Sequence, residues 1–366
     1  MVHFDVSNVV RALDEMKISV SFLDLNFKEP AGTSRGVLHS KPSWIIEVIE
    51  KGKTGVGEIS IIPGLSPEFQ DKLSFEKKLN EVISKFSQIS IELWIENEEE
   101  ITFQPILERE LIDFPAIRFG FEMAYFSWQR QNGLFFLTPK AFHQIKIPIN
   151  GLVWMGDIPT MRARMKQKLE EGFSTVKMKI GGLDWKLEKQ LLSELRAQFS
   201  DKELTIRVDA NGALTEQNAE LVLRDLKELS IHSIEQPLKK GKVKETILLN
   251  KLNLVDIAFD EELIGIEEQQ EMLALLKTTG ISYIVVKPSL HGGFKGAKKW
   301  ISCAEKLGIG WWITSALESS LGLQAIAEFT SVYEVNIPQG LGTGSIYTNN
   351  LPTRFVVKDG FLSAIE

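Results

Sequence analysis

The 366-residue chain contains one cysteine, Cys303, which excludes an internal disulfide framework and fits a reducing compartment. Cys303 lies in the apolar, helix-like stretch WISCAEKLG and reads as a buried, inert thiol. No apolar run approaches the roughly 18 to 20 residues of a membrane span. The opening MVHFDVSNVVRALDEM is broken by charges and lacks the apolar region of a signal peptide, so a cytoplasmic protein is expected. Positive charge is not in excess: 42 Lys and Arg against 49 Asp and Glu leave a net charge of −7. Nucleic acid and anionic membrane surfaces are therefore poor partners, because both require a basic patch. An anionic small molecule would have to be held by local cations. Low-complexity tracts and tandem repeats are missing too, which removes solenoids. What remains is ordinary globular usage, 43% hydrophobic and 25% charged, in a chain long enough for a large barrel plus a further unit.

The first third alternates like an α+β unit. Residues 17–28 (KISVSFLDLNFK) and 43–50 (SWIIEVIE) predict strands, GKTGVGE at 52–58 is rich in turn residues, and helical periodicity covers about 66–98 and 108–132. A capping unit over 1–130 with an antiparallel sheet is expected. Beyond it, short apolar strands alternate with amphipathic helices. The strand candidates are 149–155, 175–180, 205–209, 231–235, 255–260, 282–287, 309–314 and 334–338. This α/β pattern predicts a TIM-like barrel over 145–340. An open doubly wound sheet is the alternative, but no Gly-rich phosphate fingerprint follows the first strand. Residues 341–366 are long enough to return to the first unit.

Five of these strands end on a charge: Lys179, Asp209, Glu235, Asp260 and Lys287. They are spaced about one βα unit apart, so a barrel would bring all five to the C-terminal mouth, where catalytic groups collect. Singly, an Asp after a strand is more often a helix cap or turn former. Three carboxylates on adjacent strand ends repel one another unless a cation neutralises them. Hard oxygen donors without His or Cys at matching positions favour Mg²⁺, with Asp209, Glu235 and Asp260 as ligands. In TVKMKI, Lys177 and Lys179 share one face of a strand while Val176, Met178 and Ile180 take the other. An isolated Lys-x-Lys is ordinarily a solvated edge strand; here both ammonium groups would enter the mouth, facing Lys287. A neighbouring lysine, a metal and desolvation would lower a lysine pKa towards that of a useful base, with the carboxylates partly opposing.

The ordered motifs KMK, VDANGAL, IEQPL, FDEEL and VVKPSLHGG resemble the enolase superfamily in its muconate-lactonizing-enzyme subgroup. INGLVWMGD, RFGFEMA, TSALESSLGLQAIAE and GLGTG resemble, within it, the o-succinylbenzoate synthases. The resemblance implies a modified (β/α)7β barrel with an N-terminal α+β capping domain. A Lys or His base working with Mg²⁺ is a known feature of that superfamily. By resemblance, Lys179 is the base, Lys287 stabilises the enolate from the opposite side, and Lys177 tunes Lys179 and approaches the substrate carboxylate.

Further positions follow the same resemblance. Asn211 would support the metal site or simply form a turn before Gly212; Ser315, Ser319, Ser320, Gly340 and Gly342 would line the substrate pocket or serve loop structure. AGTSRGVL at 31–38 resembles a mobile capping loop that Gly32 and Gly36 would let move, with Arg35 available to a substrate carboxylate or solvated. His291 reads as a loop residue. The implied reaction is a dehydration to o-succinylbenzoate in menaquinone biosynthesis. An N-acylamino acid racemase or a muconate-type cycloisomerase uses the same five residues, and a non-catalytic metal-binding barrel is the rival from another class. The lysines speak against that rival, since metal binding alone does not need them. No His follows the seventh strand and no acid pair follows the eighth, which separates the chain from mandelate-racemase-like enzymes and dipeptide epimerases. A small-molecule carboxylate is the expected partner, and a homo-oligomer is compatible with the sequence.

Overall fold

The computed structural model describes residues 16–33 and 36–365. Its first unit is built on an antiparallel meander of β1 (Lys17–Thr33), β2 (Gly36–Glu50) and β3 (Lys53–Ser60). Lys51 and Gly52 join β2 to β3 with φ of 54° and 70°, the paired left-handed values of a tight hairpin turn. Ala31 and Gly32 pair with Leu38 and Val37, so the strands run further towards residue 35 than the sequence pattern predicts. Gly32 also bridges Met155, where an added Cβ would crowd the Met155 backbone; it is a contact glycine there.

The helical stretch expected over 66–98 is shorter. Helix α1 (Lys72–Phe86), capped by Asp71, buries Phe75, Leu79, Val82 and Phe86 along one stripe. A two-stranded hairpin, β4 (Ile95–Asn97) with β5 (Thr102–Phe103), then interrupts, followed by α2 (Pro105–Glu110) and α3 (Pro115–Arg130). Helix α3 is buried along nearly its whole length, and it explains the glycines of GKTGVGE. Only Gly52 serves a turn. Gly55 and Gly57 lie inside β3, where a Cβ would strike the carbonyl oxygens of Ala124 and Gly120; their absence of side chain lets α3 lie directly on the sheet.

After the short α4 (Pro139–Phe142) and β6 (Lys146–Pro148) comes a seven-stranded sheet of β7 (Gly151–Val153), β8 (Thr175–Lys179), β9 (Thr205–Asp209), β10 (Ser233–Glu235), β11 (Asp256–Phe259), β12 (Tyr283–Val286) and β13 (Gly310–Ile313). All neighbours are parallel and in chain order, the arrangement of a barrel rather than a doubly wound sheet. Helices α5 (Ile158–Glu170), α6 (Trp185–Gln198), α7 (Ala219–Glu228), α8 (Val243–Lys251), α9 (Gln269–Thr279), α10 (Gly293–Lys306) and α11 (Ser320–Thr330) connect and follow the strands.

No eighth strand forms at 334–338 among the described residues. Instead Gln339 and Gly340 bridge β13 and the start of β7: Gln339 donates to Pro148 and accepts from Asn150, and Gly340 donates to Ile313 at 2.8 Å. Pro338 has no N–H to give a ladder, and the Gln339 side chain takes up the Ile313 amide at 2.7 Å. The chain then passes β1, where Phe27 bridges Tyr347, and ends in a hairpin of β14 (Phe355–Lys358) and β15 (Phe361–Ala364) paired with β6. No described helix is long and apolar enough to cross a membrane.

Candidate active site

Strand β8 is buried on both faces, as a barrel strand must be, and its two-residue period divides it. Val176, Met178 and Ile180 are fully enclosed, while Lys177 and Lys179 point into the mouth at 6% and 8% exposure. Register sets their partners: Lys179 lies beside Asp209, and Asp209 beside Glu235. Lys177 Nζ is 3.2 Å from Asp209 Oδ2 and 2.9 Å from Glu235 Oε2. Lys179 Nζ is 3.1 Å from the same Asp209 oxygen and donates to Asn211 Oδ1 at 2.6 Å. Across the mouth, Lys287 pairs with Asp260. The five strand-end charges and Lys177 thus form one buried cluster.

The carboxylates dominate its electrostatics. Burial opposes the Lys177 ammonium, yet Glu235 and Asp209 outweigh it and hold the pKa above the ordinary lysine value. Lys287 is likewise raised: burial opposes its ammonium most, but Asp260, Glu261 and Glu235 together outweigh it. In both cases the direct ion pairs act at closer range than the neighbouring lysine. Burial, reinforced by Asp209, pushes Glu235 up to about 8, whereas Lys179, Lys177 and Lys287 together overcome burial and hold Asp209 low.

The donor set suits a cation. Among the described residues no three acidic, imidazole or thiol groups form a ready-made cage, since the three carboxylates engage ammonium groups. Even so, Glu235 Oε1 and Asp260 Oδ1 are buried with no hydrogen-bond partner, and such groups are costly to leave unsatisfied. Two orphaned carboxylate oxygens beside Asp209 fit a hard divalent ion.

Asn211 takes the turn position expected of it, and its side chain also reaches the lysine cluster. Its φ of 43° makes the turn before Gly212, and its amide spans Lys179 and Glu261. Ser315, Gly340 and Gly342 line the cavity above the lysines. Ser319 and Ser320 are not brought to it. Ser319 is fully buried as the cap of α11, and the Ser320 amide donates to Asn350. Arg35 lies outside the described residues.

Two residues passed over in the sequence belong here. Asn150 and Trp154 alternate on the mouth face just as Lys177 and Lys179 do, a signal the same period-two argument could have used. Trp154 places its ring centroid 5.6 Å from Lys179 Nζ, and Asn150 Oδ1 is buried without a partner. His291 lies in a turn, as its loop reading expects, but is buried there and accepts the Lys287 amide at Nδ1, 3.0 Å away. Burial holds its pKa down to about 3, so the ring is neutral.

An enolase C-terminal domain-like family model matches residues 160–366. The chain is 41% identical to o-succinylbenzoate synthase of Desulfotalea psychrophila, over 95% of this chain and 98% of that protein. A crystal structure of MenC from the same organism superposes with a TM-score of 0.80 at 36% identity, covering 96% of this chain and all of the other. The L-Ala-D/L-Glu epimerase of Bacillus subtilis shares the fold, with a TM-score of 0.76 at 19% identity over 96% of each chain.

Proposed function

Because the chain belongs to the enolase superfamily, we propose that it catalyses the o-succinylbenzoate synthase reaction, the activity for which its 41%-identical relative is named. Water is lost from 2-succinyl-6-hydroxy-2,4-cyclohexadiene-1-carboxylate to give o-succinylbenzoate for menaquinone biosynthesis in the cytoplasm. The observation that carries this reading is the pair Lys177 and Lys179 on one strand face, opposed to Lys287 across three adjacent strand-end carboxylates.

Asp209, Glu235 and Asp260 would hold the divalent ion, assigned as Mg²⁺ from their hard oxygen donors. When bound, it supplies Lewis-acid neutralisation of the substrate carboxylate. Lys179 Nζ, in its neutral form, takes the proton from the ring carbon bearing that carboxylate. Lys287, buried on the opposite side, meets the developing negative charge with its ammonium. Lys177, between Asp209 and Glu235, contributes a second cation towards the substrate carboxylate. The proton held by Lys179 then passes to the departing hydroxyl, water leaves, and the ring becomes aromatic.

Chelation tests the carboxylate assignment. Excess chelator should abolish turnover reversibly, and Asp209→Asn, Glu235→Gln and Asp260→Asn should each weaken Mg²⁺ binding measured by calorimetry while the fold persists by circular dichroism. Undiminished activity in excess chelator would refute it.

A further inference from the structure

A second cluster of buried ionisable groups lies behind the wall of the cavity, between the N-terminal sheet and the strand-end loops of the barrel. Lys41, Glu58 and Glu318 are all fully enclosed. Lys41 Nζ donates to Ser43 Oγ at 3.0 Å and to Ser60 Oγ at 2.7 Å, and Ser43 passes a hydrogen bond to Glu58 Oε1 at 2.9 Å. The Glu58 carboxylate leaves the sheet and caps α11, accepting from the Ser319 and Gly322 amides at 3.0 Å and from Ser319 Oγ at 2.5 Å. Negative charge at a helix N-terminus is favourable. Gly322 carries no side chain where a Cβ would crowd Glu58 and Glu318.

Glu318 joins this anchor to the cavity. It accepts from Ser289, two residues past Lys287, at 2.6 Å and from Ser315 at 2.8 Å. Ser315 Oγ also receives Thr343 Oγ1 at 2.9 Å and the Leu317 amide at 3.0 Å. Ser315, Leu317 and Thr343 all line the cavity. Leu317 is held at φ 62°, a left-handed value for a branched residue, with Tyr347 OH bonded to its carbonyl at 2.6 Å. Strain of that kind persists only where the surroundings overdetermine it. Burying three ionisable groups is also a poor route to stability, since apolar packing of the same volume serves as well or better. The cluster is better explained by what it orients.

We propose that Glu58 and Lys41 of the N-terminal sheet are positioning residues that act through Ser319, Glu318 and Ser315 to fix the substrate-facing wall Ser315–Leu317. They touch no reacting atom. The inference rests on the proposed function only for its kinetic readout, because the wall can also be followed directly.

The test compares wild type with Glu58→Gln, which turns an amide N–H₂ towards the α11 amides, and Lys41→Met, which keeps the aliphatic stem. Each should raise KM for the cyclohexadiene acid by about tenfold with kcat within about threefold, the pattern of lost uniform binding. Mg²⁺ affinity should not move. Amide hydrogen exchange at residues 315–318 should accelerate in both variants, a readout independent of the reaction. The Glu58→Gln/Ser315→Ala double variant should be no worse in KM than Ser315→Ala alone, because both act on one wall. Should Glu58→Gln not fold, Lys41→Met with the Lys41→Met/Ser315→Ala pair carries the same comparison. Unchanged KM and unchanged exchange in the folded variants, or additive KM effects, would overturn the proposal. An inactive wild type would instead count against the proposed function, and the exchange comparison would still decide this one.

Discussion

Lys179 is gripped by two unlike oxygens, the carboxylate of Asp209 and the amide of Asn211, and overlooked by the Trp154 ring. If it moves the proton, Lys179→Ala should lower kcat by about 10²–10⁴ or more, since base and acid roles vanish together. Near-normal turnover in that variant would refute the mechanism. Asn211→Ala should be milder, about tenfold in kcat, because Lys179 keeps its ion pair but loses an orienting contact. An unchanged kcat would restrict Asn211 to its turn. The lysines and carboxylates were legible in the sequence because strand period and strand-end spacing are both local. The burial of the His291 ring was not, because its contact is with the backbone of Lys287, and nothing in SLHGG distinguishes an imidazole turned inward from one in solvent.

Helix α3 shows what packing adds to pattern. Its close approach to β3 depends on Gly55 and Gly57, which looked like turn residues because glycine supplies both conformational freedom and lack of bulk. Gly57→Ala should cost about 1–3 kcal/mol by overpacking, read as a lower midpoint in urea. An unshifted midpoint would contradict the packing described. Glu122 on the same helix reaches the barrel, accepting the Phe294 amide at the start of α10 at 2.5 Å. Burial pushes this carboxyl up to about 8; Arg118, 3.9 Å away and engaged with Glu108, offsets only part. The folded state therefore keeps a proton that the unfolded chain releases near pH 4.3. Its contribution to stability is complete below that pH and is lost as pH rises through about 8. Relative to wild type, Glu122→Gln should gain more in Tm at about pH 8 than at about pH 5; a constant difference would contradict this. The missing eighth strand has a similar lesson. EVNIP has strand-like composition, but Pro338 and the Gln339 side chain reduce the closure to two residues.

At the scale of the molecule, the N-terminal sheet and the barrel share one cavity, with Val37, Leu38 and Leu65 on one side and the lysines on the other. Which residues of the N-terminal unit would meet the barrel was not legible, because no periodicity reports contacts between residues as distant in sequence as Glu58 and Ser319. After Gln339 the wall offers Gly340, Gly342 and Thr343, with no carboxylate to pair a substrate ammonium. A buried unpaired ammonium costs several kcal/mol. The kcat/KM for the cyclohexadiene acid should thus exceed that for an Ala-Glu dipeptide by at least about 10³, roughly 4 kcal/mol of differential transition-state binding. Equal values would show that the wall after Gln339 has been misjudged. The central claim is tested most directly by incubating the wild-type protein with Mg²⁺ and 2-succinyl-6-hydroxy-2,4-cyclohexadiene-1-carboxylate and following ultraviolet absorbance. Loss of the diene with formation of o-succinylbenzoate is the predicted result; a diene consumed no faster than in buffer would contradict it.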